Sequence, residues 1–219
     1  MQPKLIIFDW DGTLADTTSP ITRCFQATFA ECGLPVPDSE TVRALIGYNL
    51  KTIVSRLAPD ASEDTQTLLR ETYTAHYLNP NNHNMRLFDT AIPCLQTLKQ
   101  QGYWLAVATG KGRTGLDQAI AQTGTADFWL ATACASEQPS KPAPDMVFKL
   151  CDELGLRPSE SLIVGDTTYD LEMAANAGAP AVGITTGAHS ADTLRQCRPL
   201  AVINSLNELP ELLAGFQTA

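Results

Sequence analysis

Apolar residues fall into two different rhythms along this chain. Near the start, Leu5-Ile6-Ile7-Phe8 make an unbroken run of strand length, the pattern of a parallel strand buried on both faces. Residues 17 to about 86 hold no further run of that kind and read as helices broken by turns. Ser19-Pro20 forms an N-cap and N1 pair. Ile21, Cys24, Phe25, Thr28, Phe29 and Cys32 follow at helical spacing, and Gly33 supplies the stop. Amphipathic segments come next at 39–46, 50–57 and 63–78, before Asn79-Pro80-Asn81-Asn82 interrupts the pattern. From Leu87 onward strands and helices alternate. Strands are predicted at 104–108, 128–131, 162–164, 181–184 and 201–203, with the intervening helices ending at Gly102, Gly124, Gly155 and Gly178.

Alternation of this kind means a parallel sheet with helices on both faces. The predicted class is α/β: a doubly wound, mainly parallel, Rossmann-like sheet with an inserted small α-helical domain. The first strand belongs with the later ones. Residues 1–15 and 87–219 are therefore expected to form the core domain and 16–86 the helical insertion, joined through hinges near 14–19 and 86–93. One core domain plus an insertion suits 219 residues.

The net charge of −9 argues against wrapping nucleic acid or docking on anionic lipid. An anionic substrate must instead meet a local positive constellation. The six cysteines (Cys24, Cys32, Cys94, Cys134, Cys151 and Cys197) are scattered, without metal-type spacing, and read as small buried hydrophobes of a reducing compartment. The early apolar run is too short for a signal peptide, and no stretch approaches membrane-span length. The expectation is a soluble, cytoplasmic protein, a monomer or weak homodimer, with neither nucleic acid nor membrane as partner.

The chemistry gathers where the strand runs end, which is where open α/β sheets bind ligands. The first run leads into Asp9-Trp10-Asp11-Gly12-Thr13, the second into Thr109-Gly110-Lys111. The third precedes a loop with Ser140-Lys141-Pro142, and the fourth leads into Gly165-Asp166-Thr167-Thr168-Tyr169-Asp170. Two neighbouring carboxylates repel, so a buried pair calls for a cation. Asp9 and Asp11 alone fit either an Asx-rich turn with solvated acids or a Mg²⁺ site with a carboxylate nucleophile. Thr-Gly is often just a turn, a loop lysine a solvated charge, and Gly-Asp-x-x-x-Asp a helix N-cap. All four at four successive strand ends favour the site. Gly110-Lys111-Gly112-Arg113-Thr114-Gly115 also matches the G-x-G-x-x-G of dinucleotide sites. That reading wants an acid after the next strand, whereas Asp127 precedes it, and it leaves Asp9, Asp11, Lys141 and Asp166 without roles.

With these four motifs in this order, and a helical insertion between the first two, the chain resembles the haloacid dehalogenase superfamily of phosphatases over essentially its whole length. Segments 148–164 and 173–184 resemble its phosphoglycolate-phosphatase-like branch. The resemblance implies a Mg²⁺-dependent phosphomonoesterase acting on a small phosphorylated metabolite, phosphoglycolate-like or a sugar phosphate. Asp9 would be the nucleophile that forms an aspartyl-phosphate, and Asp11 the acid and then the base. Metal ligands would be Asp9, the backbone carbonyl of Asp11, and Asp166, with Asp170 holding a metal-bound water or orienting Lys141. Thr109 and Gly110 would bind phosphoryl oxygens, Lys141 would bridge phosphate and Asp9, and the Trp10 amide would face the phosphoryl group. Thr13 reads equally as loop support or a plain turn residue. Lys111 and Arg113 read as aids to anion attraction or as a solvated helix start.

The insertion then resembles the family's cap. Segment 43–49 resembles its specificity loop, which makes Tyr48, Asn49 and Arg43 candidates for touching the leaving group, with Arg23 and Lys51 behind them. His76 and His83 read as surface residues, and His189 lies on the active edge. Phosphomutase chemistry is the alternative that uses the same motifs. A C–P bond hydrolase would need a cap lysine, and Lys51 is the only one there. A dehalogenase has no use for Asp11, and a non-catalytic binding protein has no use for the whole set.

Overall fold

The computed structural model describes residues 3–79 and 85–215. Strands β1 (Leu5–Phe8), β2 (Trp104–Thr109), β3 (Ala131–Cys134), β4 (Ser161–Gly165), β5 (Ala181–Ile184) and β6 (Ala201–Ile203) form one parallel sheet. Their order is β3-β2-β1-β4-β5-β6. Chain direction across the sheet therefore reverses between β1 and β4, the switch point where such sheets open a crevice. Phe8 is in register with Val107 and Val164, so the residues after β1, β2 and β4 emerge side by side.

Alternate residues of β1 serve opposite faces. Ile6 and Phe8 join Leu105, Val107, Leu162 and Val164 beneath α5 (Ala91–Gln100), α6 (Arg113–Thr123) and α10 (Glu208–Gly215). Leu5 and Ile7 join Ala106, Ala108 and Ile163 against α7 (Asp145–Leu154), α8 (Thr168–Ala177) and Leu194 of α9 (Ala191–Gln196). Each large side chain buried this way contributes about 1.5–3 kcal/mol, and burial on both faces is why the strand sequences are continuously apolar.

The four remaining helices, α1 (Thr18–Glu31), α2 (Ser39–Arg43), α3 (Leu50–Leu57) and α4 (Glu63–Leu78), pack around a cluster of their own that includes Ile21, Phe25, Phe29, Val42, Ile53, Val54 and Leu69. The chain leaves and re-enters the sheet region through two adjacent segments. Asp16 N donates to Arg86 O (2.9 Å) and Phe88 N to Leu14 O (2.9 Å). No helix among the described residues is long and apolar enough to cross a membrane.

The predicted elements need three corrections. The third strand is Ala131–Cys134, not 128–131. Phe128 closes a 3-10 turn, and it and Trp129 pack against the sheet from outside it, so bulky apolar residues marked a packed turn while small ones formed the strand. Helix α1 starts after Thr17 rather than Ser19, and Thr17 makes no side-chain cap bond because its hydroxyl serves Asp11, as described below. Helix α2 ends at Arg43, and the rest of the expected 39–46 segment is a turn. Pro80, Asn81, Asn82 and His83 lie outside the described residues.

Candidate active site

Asp9 directly extends β1, its amide donating to Val164 O at 2.9 Å, and its side chain is buried. Lys141 Nζ lies 2.5 Å from Asp9 Oδ1 and 2.6 Å from Asp170 Oδ1. Asp170 stands in the first turn of α8, its Oδ2 accepting from Thr167 N (3.1 Å) and Thr167 Oγ1 (2.6 Å). Asp166, just past β4, accepts from Thr13 Oγ1 (2.9 Å) and Ala188 N (2.8 Å). Gly12 permits this closeness. Its φ is +84°, and a Cβ there would sit 2.5 Å from Asp166 Oδ2, so a side chain is excluded by conformation and by space.

Three carboxylates thus share one buried space with a single ammonium. Asp9, Asp166 and Asp170 present oxygens within 4.8 Å of one another, and Asp9 Oδ2 has no hydrogen-bond partner among the described residues. Burial pushes the Asp9 carboxyl up to about 7; Lys141 opposes this, while Asp170 and Asp11 add to it. Burial, then Asp9 and Asp170, raise Asp166 well above the usual range. Burial works against the Lys141 charge, but Asp170 and Asp9 outweigh it and hold the ammonium well above its ordinary pKa. Crowded acids, one of them with a free oxygen, form a hard-oxygen donor set short of positive charge. Such a set fits a Mg²⁺-sized cation.

Asp11 faces away from that cluster. Its Oδ1 accepts from Thr17 Oγ1 (2.6 Å) and Lys111 Nζ (2.7 Å), and Lys111 also bonds the Tyr77 hydroxyl on α4. Thr109 is buried, and its Oγ1 accepts from Lys111 N at 3.2 Å. A Cβ on Gly110 would meet Gly47 O and Tyr48 O at 2.7 Å. The second-motif glycine is therefore required by a backbone turn of the helical block that presses on it, which also accounts for one glycine of the G-x-G-x-x-G match.

Between the sheet edge and the helical block lies a cleft of about 560 Å³. Asp9, Asp11, Gly110 and Lys111 line it from the sheet side, and Ile21, Phe25, Ile46, Ile53 and Tyr73 from the helical side. Tyr48 and Asn49 also line it. The Tyr48 ring lies on Tyr169 (3.9 Å between centroids), with the Arg56 guanidinium 4.4 Å from its centre. Asn49 Oδ1 caps α3 by accepting from Thr52 N (2.8 Å), while the Asn49 backbone N–H donates to Ser140 Oγ (3.0 Å). Arg43 is not among the lining residues; it is exposed and reaches Gly187 O at 3.4 Å. Lys51 lines the cleft and is exposed; Arg23 is exposed and is not part of the lining. The Trp10 indole is fully buried in the sheet core beside Trp129.

Residues 6–184 match the family described as haloacid dehalogenase-like hydrolase. The chain belongs to that family. A probable phosphatase, IndB, from Dickeya dadantii (strain 3937) is 32% identical over 95% of this chain and 92% of its own. A phosphoglycolate phosphatase from Vibrio parahaemolyticus is 29% identical over 96% of each. A crystal structure of a predicted phosphoglycolate phosphatase from Haemophilus somnus 129pt superimposes with a TM-score of 0.89 at 25% identity, covering 97% of this chain and 98% of that one. The chain is an enzyme of this haloacid dehalogenase-like phosphatase group.

Within that frame the structure brings Asp9, Lys141, Asp166 and Asp170 into one cluster, with Asp11, Thr109 and Gly110 beside it, and leaves Arg43 outside the cleft. Sequence reasoning passed over Thr17 and Tyr77, and gave Lys111 only a loose role. A lysine directly after Thr-Gly at a strand end was the available signal, but its partners stand 34 and 100 residues away, and no spacing rule reaches that far. His76 pairs with Glu31 (2.8 Å) on the surface. His189 Nδ1 accepts from Thr168 N (3.0 Å), and burial lowers the ring's pKa, so it serves the fold of the loop.

Proposed function

We propose that the chain is a Mg²⁺-dependent phosphomonoesterase of small metabolites that works through an aspartyl-phosphate on Asp9. The observation that carries this reading is the buried Asp9 carboxylate. One of its oxygens lies 2.5 Å from Lys141 and the other has no partner among the described residues, while a second carboxylate stands two residues on. Asp9, Asp166 and the Asp11 backbone carbonyl would hold the metal, with Asp170 behind them. When bound, Mg²⁺ would offset the repulsion between these acids and a phosphate dianion.

Lys141 neutralises one carboxylate oxygen and orients the other toward phosphorus, so a charged nucleophile can be kept in a dry site. Thr109 Oγ1 and the Gly110 amide lie at the end of β2, beside Asp9, and receive the phosphoryl oxygens. Asp11 Oδ1 is fixed by Lys111 and Thr17, which leaves Oδ2 to protonate the departing alkoxide and then to take the proton of the attacking water. Residues 16–86 act as the cap. Their 44–49 turn rests on Gly110, Ser140 and Tyr169, closing the site from bulk water. The six free cysteines suit a cytoplasmic enzyme.

Phosphate release from a panel of phosphomonoesters, measured with and without EDTA, tests the proposal. Mg²⁺-dependent release that disappears in Asp9→Asn is the expected outcome. Metal-independent release, or an active Asp9→Asn, contradicts it. Phosphoryl transfer to a second hydroxyl of a sugar phosphate without free phosphate would mark a mutase.

A further inference from the structure

We propose that the cleft selects phosphomonoesters whose leaving group is an uncharged, largely apolar alcohol, larger and less polar than glycolate. This inference rests on the phosphomonoesterase reading above and narrows its substrate class.

Size is the first observation. A cleft of about 560 Å³ falls in the range of roughly 300–1,000 Å³ typical of sites for drug-sized ligands. A phosphorylated two-carbon acid, with about nine non-hydrogen atoms, is small for it. A site that must exclude water for the Asp9 chemistry calls for a ligand that fills it.

The second observation is the wall. Phe25 and Tyr73 stack at 4.1 Å with their planes 25° apart, and Tyr73 continues onto Tyr77 at 5.7 Å and 17°. Ile21, Ile46 and Ile53 extend the same surface. Phe25 and Tyr73 thus turn ring faces to each other, and together with these isoleucines they make the helical side of the cleft apolar, which suits an apolar leaving group.

Charge supplies the third. A glycolate carboxylate would have to enter beside Asp9 and Asp11, and a buried anion needs a cation. Of the cations lining the cleft, Lys111 is bound to Asp11 and Tyr77. Arg113 is held by Glu137 (2.7 and 2.8 Å), Asp117 (3.2 Å) and Thr132 (3.0 Å). Lys51 is exposed and can remain in solvent.

Benzyl phosphate, 2-phosphoglycolate and glucose 6-phosphate discriminate the cases, since all three release a poorly stabilised alkoxide and differ in what the cap must hold. We expect kcat/KM for benzyl phosphate to exceed the other two at least tenfold. Tyr73→Ser should lower it fivefold or more while changing 2-phosphoglycolate less than twofold, and Tyr73→Phe, which keeps the ring, should restore it. A thermal melt checks that the variants are folded. Binding of benzyl phosphate to Asp9→Asn by calorimetry reads the same preference without turnover. The inference is overturned if 2-phosphoglycolate or glucose 6-phosphate is the better substrate, or if Tyr73→Ser reduces all three in proportion. In those cases phosphatase activity persists and the reading beneath survives. If no phosphomonoester releases phosphate, that reading falls and this inference falls with it.

Discussion

Asp9 in the floor of the cleft and Phe25 in its roof are both buried, but for opposite reasons. Asp9 sits among charges: a lysine on one oxygen, two further aspartates within reach, and a carboxyl pushed up to about 7. Phe25 sits among apolar neighbours and stacks on Tyr73. Burial costs the floor free energy and gains it for the roof. Strain of the first kind persists where chemistry requires it, and such a floor tolerates few substitutions. A roof held by packing can exchange one apolar residue for another of similar volume at small cost. The comparison separates a floor built on charge from a roof built by packing; on the proposed function, the reaction belongs to the first and the choice of substrate to the second.

The largest effect should come from the floor. Asp9→Asn keeps shape and removes the proposed nucleophile. Phosphate release should fall by at least about three powers of ten, roughly 4 kcal/mol, on every substrate, with circular dichroism unchanged. A tenth of wild-type activity would leave no place for a covalent mechanism on Asp9. Asp11→Asn should come next. In the first turnover it should slow transfer from esters of poor alkoxide leaving groups by about 10²–10⁴-fold and slow the p-nitrophenolate burst much less, because nitrophenolate departs without a proton. Equal losses would show that Asp11 acts through structure alone.

A change in the roof should be smaller and selective. Tyr48→Ala removes a ring wedged between Tyr169 and Arg56. It should cost the preferred substrate about one to two powers of ten in kcat/KM, about 1.4–2.7 kcal/mol, with little change for p-nitrophenyl phosphate. Proportional losses on both would assign Tyr48 to cap closure and blur the division between floor and roof.

That division also marks how far the sequence could be read. The strand ends carrying Asp9, Thr109 and Asp166 were legible because each follows a short apolar run, and parallel topology brings such ends to one edge. Lys141 was legible only through its place in the motif order, since its loop has no periodicity of its own. The roof was not legible. Ile21, Phe25, Ile53 and Tyr73 have ordinary helical core spacing, and nothing in an amphipathic pattern distinguishes a side chain packed on its neighbour from one lining a cleft. The third strand was misplaced for a related reason: Phe128 and Trp129 supply apolar surface to the sheet without being part of it. Arg43 was chosen for its charge and its loop, but it stands in the last turn of α2 and reaches Gly187 O outside the cleft.

Metal and pH probe the floor through stability. Unfolded, Asp9 loses its proton near the ordinary carboxylate value of 3.8; folded and metal-free, it keeps it to about 7. Asp166 is shifted in the same direction. The folded state therefore binds more protons, so metal-free stability should fall as pH rises from about 4 to 7. Binding Mg²⁺ requires the deprotonated acids. The rise in Tm on adding Mg²⁺ should consequently be larger at pH 7.5 than at pH 5, by calorimetry, and Asp166→Asn should diminish it. A rise independent of pH would place the cation elsewhere. The smallest expected effect belongs to the roof: Asn49→Ala removes the α3 cap and should cost about 1 kcal/mol in chemical denaturation, while Asn49→Asp restores it.

The central claim is that phosphorus passes through Asp9. Asp11→Asn with p-nitrophenyl phosphate tests it most directly, because the first transfer needs little acid whereas release of the phosphoryl group needs the base. Acid quenching in the first turnover, followed by mass spectrometry of the peptide containing residues 5–13, should find a phosphoryl group on Asp9. Its amount should match a burst of about one nitrophenolate per enzyme. A burst with no phosphoryl group on that peptide, or steady release with no burst and an unlabelled Asp9, would contradict the account.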